Sequence, residues 1–419
     1  MTTRAADPLA ADLTRRAFRP RRQTPLRGIG AEVEVIPVRA DSGAMCQFEN
    51  GSGSTLAFLR QYGAAEGWVE TQHSSGVWMF RLPDGGTLTP EPGGQLEYSS
   101  PRCRSITELM PCMLDAVEPL TRAASDAGIA MLSTGIDPIN DIARVPLQLS
   151  APRYRKMTAY FEAQGRAGVR MMRQTAAIQV NLDFLEEPML RWSVLNASAP
   201  YVTAIFANSP IYAGSPTGCQ SYRAETWRNA DPSRTGLLAR SDDPIGEYLE
   251  FALSAPAMLL PPGDDGYRPF RWWWSHGGVS LDDWRLHLTT LFPEVRPRGY
   301  LESRSVDALS PEWYAAPICF LAGIVYDPES LHAAADLLGE PDPGLLKRAG
   351  VDGLADPDIG DVARGLFEIA LEGCGRFGPD FVPERDVETA RAFFDQYTRQ
   401  GRSPADEALD ELARTLPAP

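Results

Sequence analysis

With 419 residues, 43% of them hydrophobic, the chain can bury a sizeable core and needs neither disulfides nor a structural metal to fold. Its 40 Lys+Arg stand against 55 Asp+Glu, a formal net charge of −15 that repels a phosphate backbone and argues against nucleic acid as a partner. Only Lys156 and Lys347 are lysines, so a phosphate-loop lysine is excluded and phosphate must be handled by arginine forks and metal ions.

Residues 1–25 read as an Arg-rich N-terminal arm without the apolar core of a secretory signal. No run approaches the roughly 18 apolar residues of a bilayer span, and the cysteines show no paired or zinc-like spacing, so a soluble protein of a reducing cytoplasm is expected. An ordered pattern starts at Leu26, where GIGAEVEVIPV alternates as a strand. Residues 77–83 and 87–98 read as further strands around the Asp84-Gly85-Gly86 turn. Ser105 and Glu108 form a capping box that opens a helix to about Asp126. MLSTGIDPI reads as a short strand, RYRKMTAYFEAQG as a helix stopped at Gly165, and residues 177–184 as a strand of strict alternation. Residues 188–207 form an apolar helix, 215–242 a loop-rich stretch, 244–258 and 281–292 helices, and YLESRSVD a strand. Beyond Pro311 the pattern is helical and ends in a polar tail over 384–415. No repeat or linker divides residues 26–419, which are expected to form a single α+β catalytic domain with a helical C-terminal region from about 311.

Several of these strands carry two polar side chains at i and i+2, which places both on one face. The pairs are Glu32 and Glu34, Gln95 and Glu97, Gln179 and Asn181, and Glu302 and Arg304, with Val33, Leu96, Val180 and Leu301 on the opposite face. A merely solvated face would mix Lys, Thr and Arg with its acids, whereas Glu32, Glu34, Glu91, Glu97 and Glu302 dominate here. Facing carboxylates need cations, and an oxygen-only set suits Mg²⁺ bridging to the phosphates of a nucleotide. No GxSxG elbow, HExxH helix or P-loop is present. The histidines are scattered, and His287, on an amphipathic helix, reads as structural. Trp272, Trp273 and Trp274 read as filling for a core gap or a subunit contact.

GIGAEVEV, PEPGGQLEYSSP, MMRQTAAIQVNLDF, FANSP, SRTGL and HLTTLFPEVRPRGYLESRSVD together resemble the glutamate-cysteine ligases of plant and proteobacterial type, a group that includes the bacterial ligases of ergothioneine biosynthesis. The resemblance runs from about residue 26 to 330 and fades in 40–85 and after 335. It implies a glutamine-synthetase-like α+β fold in which a curved, mainly antiparallel sheet forms a funnel for ATP, Mg²⁺ and substrates. It also implies a reaction: ATP phosphorylates the γ-carboxylate of L-glutamate, and the amine of L-cysteine displaces phosphate to give γ-glutamylcysteine.

Residue by residue, the resemblance implies metal contacts at Glu32, Glu34, Glu91, Glu97, Gln179 and Glu302, and nucleotide contacts at Gln179, Asn181 and Arg304. Arg304 and Glu302 are the implied catalytic pair. Glutamate falls to Met171, Met172 and Arg173, with Trp227 and Arg234, while Arg223, Arg228 and Arg240 share the stretch of Arg234. The partners implied are small-molecule substrates, with the protein a monomer or homodimer. The RWWWSHGG stretch departs from the family form and leaves open a different amine in a specialised pathway; a guanidino kinase shares the general fold.

Overall fold

The computed structural model describes residues 7–19, 27–51, 53–72, 77–264 and 266–415. Its main sheet is built from β1 (Ile29–Arg39), β2 (Val69–Gln72), β3 (Trp78–Arg81), β4 (Thr87–Pro90), β5 (Leu96–Ser99), β6 (Ile129–Leu132), β7 (Ala177–Leu182), β8 (Val295–Pro297) and β9 (Leu301–Asp307). The order is β8-β9-β7-β1-β5-β4-β3-β2, with β6 on the far half of β1 and every pairing antiparallel. β1 is central because it is long enough to take three partners: Ile29–Val33 pairs with β7, Glu32–Val35 with β5, and Ile36–Arg39 with β6.

Alternation decides which face is buried. Ala31, Val33 and Val35 of β1, Leu96 and Tyr98 of β5, Val180 and Leu182 of β7 and Leu301 of β9 are buried against a continuous apolar cluster that runs from Leu9 to Tyr397. Helix Ala315–Tyr326 is buried on every side, as its uninterrupted apolar composition requires.

Several expectations are revised. The run 87–98 is two strands, folded back at Glu91–Gln95, where the Glu91 N–H donates to the Gln95 carbonyl at 2.7 Å. Half of the predicted capping box forms: the Ser105 hydroxyl accepts from the Glu108 N–H, but the Glu108 carboxylate turns to the Arg104 N–H. The loop-rich stretch holds helix Tyr222–Ala230, and a helix over Arg166–Gln174 precedes β7. The polar tail packs inward, with Phe393 against Phe206 at 5.2 Å between ring centroids. Of the predicted arm, residues 1–6 and 20–25 lie outside the described residues; 8–18 are helical, with Leu9, Leu13 and Phe18 buried. Among the described residues, no helix is long and apolar enough to cross a membrane.

Candidate active site

The polar face of β1, β5, β7 and β9 floors a cavity of about 620 Å³, a volume suited to a small-molecule site. Register brings the acids together. Glu34 stands opposite Glu97 across β1/β5, and Glu32 stands opposite Gln179 across β1/β7. Glu91 joins them from the β4–β5 turn, which is held in place by its own sequence. A Cβ on Gly93 would lie 1.9 Å from the Arg173 carbonyl oxygen, so only glycine lets the turn approach that backbone, and the buried Gln95 amide donates to the Thr175 carbonyl at 2.9 Å.

Burial pushes these carboxyls up. Glu32 reaches about 8, with Glu97 and Glu302 adding repulsion; Glu34 and Glu97 reach about 7; Glu91 is raised by burial and then by Glu97. Among the described residues no group of three or more Asp, Glu, His or Cys side chains is gathered so as to hold a metal ion. The acids form an open bank of oxygen donors.

Arginines line the same cavity. Arg223, Arg296, Arg298 and Arg304 line the cavity, joined by Arg153 and, at the N-terminal side, Arg16 and Arg285. Glu302 differs from the other acids. It is fully buried, stands opposite Asn181 and Arg296, and accepts from Arg296 at 2.6 and 3.1 Å, from Arg298 at 3.1 Å and from Arg304 at 3.0 Å. Burial alone would raise its carboxyl, but Arg296, Arg304 and Arg298 hold it well below the usual carboxylate range. A register shift between Ser303 and Val306 bulges β9 against β7, and bulges of this kind re-aim side chains. Arg304 within it donates to the Gln179 amide oxygen and lies 5.4 Å from the Trp227 ring centroid.

Of the residues singled out by sequence, Glu32, Glu34, Glu91, Glu97, Gln179, Arg304, Met171, Met172 and Trp227 line the cavity. Glu302 sits behind the arginines instead of facing the space. Asn181 is not in the wall; its amide points at Glu32 from 3.4 Å. Arg173 and Arg234 are corrected. Arg173 turns toward the Val145 carbonyl, Thr158 and Glu162. Arg234 is fully buried, with Asp231 at 2.6 Å, the Thr290 carbonyl at 2.9 Å and the Pro256 carbonyl at 2.6 Å occupying its guanidinium. Arg223 is the cation of that stretch that reaches the cavity. His287 is structural: it is buried, hydrogen-bonded to the Ala252 carbonyl and stacked on Phe270, and burial lowers it to about 3. Trp272, Trp273 and Trp274 belong to helix Phe270–Ser275 and are not part of the wall. Sequence reasoning missed Arg296 and Arg298, although VRPR alternates as the other strands do and the i, i+2 rule would have found them; Arg153, Arg285 and Arg16 left no such signal.

The raised carboxyls fix a pH dependence. The folded protein binds more protons than the unfolded chain between the ordinary 4.5 and the folded values of about 7 and 8. The stability they contribute is therefore complete below 4.5 and is lost as pH rises toward 8, while Glu302, lowered, acts in the opposite sense only below 4.5. Ligand-free protein is expected to melt at a lower temperature at about pH 8 than at about pH 5.5, and millimolar Mg²⁺ to restore more at the higher pH. Melting curves across that range check this; a ligand-free Tm that climbs steadily through it contradicts the assignment.

The fold is that of the glutamine-synthetase-like ligases. The crystal structure of glutamate–cysteine ligase from Francisella tularensis in complex with AMP superposes with a TM-score of 0.56 at 13% identity, over 93% of this chain and 85% of that one. The chain belongs to glutamate-cysteine ligase family 2, whose profile matches residues 29–414. It is 34% identical to the glutamate–cysteine ligase EgtA of Mycobacterium tuberculosis over 80% of this chain and 79% of that protein. It is also 30% identical to the chloroplastic glutamate–cysteine ligase of Arabidopsis thaliana, over 77% of this chain and 65% of that one.

Proposed function

We propose that the protein is an ATP-dependent ligase that joins the γ-carboxylate of L-glutamate to the amine of L-cysteine through a γ-glutamyl phosphate, releasing γ-glutamylcysteine, ADP and phosphate. The observation that carries this reading is the lining of one cavity by both a cluster of acids and a cluster of arginines, in a member of this family. A polyphosphate and a dicarboxylate need guanidiniums, and a divalent cation needs carboxylates.

Glu32, Glu34, Glu91 and Glu97 fit Mg²⁺ on the chemistry of the donors, which are hard oxygens whose burial and mutual repulsion the neighbouring arginines only partly offset. Mg²⁺ keeps several waters and takes one or two carboxylates plus substrate phosphates, so an open bank serves it better than a cage. When bound, it supplies neutralisation of phosphate oxygens and polarisation of the transferred phosphoryl group. Arg304, fixed by Gln179, Glu302 and the Trp227 ring, presents a planar fork where charge builds during phosphoryl transfer. Met171, Met172 and Trp227 offer apolar contact for the glutamate methylenes, and Arg223 takes the place of Arg234 as the cation for its carboxylate. The described residues act as one catalytic unit in this reading, since one apolar cluster runs from Leu9 to Tyr397.

The test is a balance of products. With ATP and glutamate alone, phosphate release should be slow, because the acyl phosphate is held away from water. Cysteine should accelerate it sharply, with ADP, phosphate and γ-glutamyl amide in equal amounts. ADP without inorganic phosphate, accompanied by a stable phosphorylated product, would defeat the ligase reading. Acceleration by another amine but not by cysteine would keep the chemistry and change the substrate.

A further inference from the structure

Residues 8–18 precede the span that matches the family profile, 29–414, yet they close one side of the cavity. Helix Pro8–Leu13 widens into a π-helical turn over Thr14–Phe18, a form that is rare and concentrated at functional sites. The segment is anchored. Phe18 packs edge-on against Trp192 and Tyr248 at 5.5 and 5.8 Å between centroids, and the Gly299 N–H donates to the Ala17 carbonyl at 2.8 Å. That bond ties the helix to the turn that follows Arg298.

Inside this anchor, the fully buried Asp12 carboxylate accepts from Arg15 at 2.9 Å, from Arg16 at 3.1 Å and from Arg285 at 2.9 Å. Arg285 also donates to Asp282 at 2.8 Å, so two negative charges meet three positive ones. Arg16 and Arg285 both line the cavity, whereas Arg15 does not. They extend the arginine bank of Arg296 and Arg298 toward the rim.

We propose that Arg16 and Arg285, set by Asp12, form an anion subsite that binds the polyphosphate of the nucleotide substrate. The inference rests on the reading above that the cavity uses ATP. A carboxylate is filled by one guanidinium fork, but a polyphosphate carries anionic oxygens along its length and draws on several. Excess positive charge beside a cavity, shared over two forks, suits the longer anion.

Arg15 supplies a matched control, since its side chain is 63% exposed against 54% for Arg16 and it shares the same carboxylate. The full chain carrying Arg16→Gln, Arg16→Lys or Arg15→Gln is compared with wild type in two measurements. These are equilibrium binding of ATP with Mg²⁺ and no amine, and steady-state kinetics with each substrate varied. Arg16→Gln should weaken ATP binding and raise its KM by about tenfold, as loss of a charge-assisted hydrogen bond does. Turnover at saturation and the glutamate KM should stay within about twofold. The defect should shrink as salt is added to the wild-type comparison, Arg16→Lys should recover part of it, and Arg15→Gln should match wild type. Unchanged ATP binding in Arg16→Gln overturns the subsite, as does an equal defect in Arg15→Gln, which would reveal only helix docking. A rise confined to the glutamate KM overturns the polyphosphate assignment. Wild-type protein that binds no ATP overturns the subsite and the ligase reading together, whereas wild-type binding with an unaffected Arg16→Gln overturns the subsite alone.

Discussion

Glu302→Gln is expected to damage folding as well as turnover. Gln keeps the shape of the side chain but removes the one negative charge shared by Arg296, Arg304 and Arg298, whose side chains are 15%, 10% and 44% exposed. Arg298 can turn to water; Arg296 and Arg304 cannot without leaving the cavity wall. Breaking a buried pair by removing one partner costs about 3–5 kcal/mol, because the remaining charge stays desolvated. The variant should therefore melt several degrees lower or accumulate as insoluble protein, with Arg298→Gln as the mild counterpart. Thermal and denaturant unfolding of both variants measure this. A Glu302→Gln protein as stable as wild type would mean that the three arginines find other partners, and would return Glu302 to the acids that face the cavity.

What the sequence made legible follows from how each part is specified. Strands β1, β5, β7 and β9 declare themselves because apolar residues alternate with acids, amides and Arg304, and alternation is a local signal. Helix Tyr222–Ala230 does not, because the residues it buries are Arg223, Thr226 and Ala230; a hydrophobic stripe is absent where the buried face is polar. The C-terminal helices are legible as helices, but the inward packing of the polar tail is not, since Phe393, Phe394 and Tyr397 bury a narrow stripe among many charges. Arginine roles are harder still. Arg223 and Arg234 lie eleven positions apart in one Arg-rich stretch, and only tertiary packing sends the first to the cavity and the second into a carbonyl-lined pocket with Asp231. The bulge in β9 leaves no composition signal, because SRSV reads as ordinary alternation.

Glu97→Gln should cause the largest loss of turnover while leaving the fold intact, and the two effects should have opposite signs. Glu97 faces Glu34 directly, and burial together with that neighbour raises its carboxyl to about 7. Without a cation, like charges across a strand pair are destabilising, so neutralising one should leave ligand-free protein at least as stable as wild type near pH 8. The Ser99 hydroxyl, which donates to Glu97 at 3.1 Å, retains an acceptor in the Gln oxygen. On the proposed reading catalysis is different, because an amide oxygen is a weaker ligand for a hard cation than a carboxylate. A deficit of about 3 kcal/mol in the transition state corresponds to roughly a hundredfold in rate. Turnover of Glu97→Gln should fall by that factor or more and respond to added Mg²⁺ only at higher concentrations, whereas Glu302→Gln loses stability too. Near-normal turnover at limiting Mg²⁺, or a ligand-free Tm below wild type at about pH 8, would remove Glu97 from the cation-binding bank and leave it a structural acid of β5.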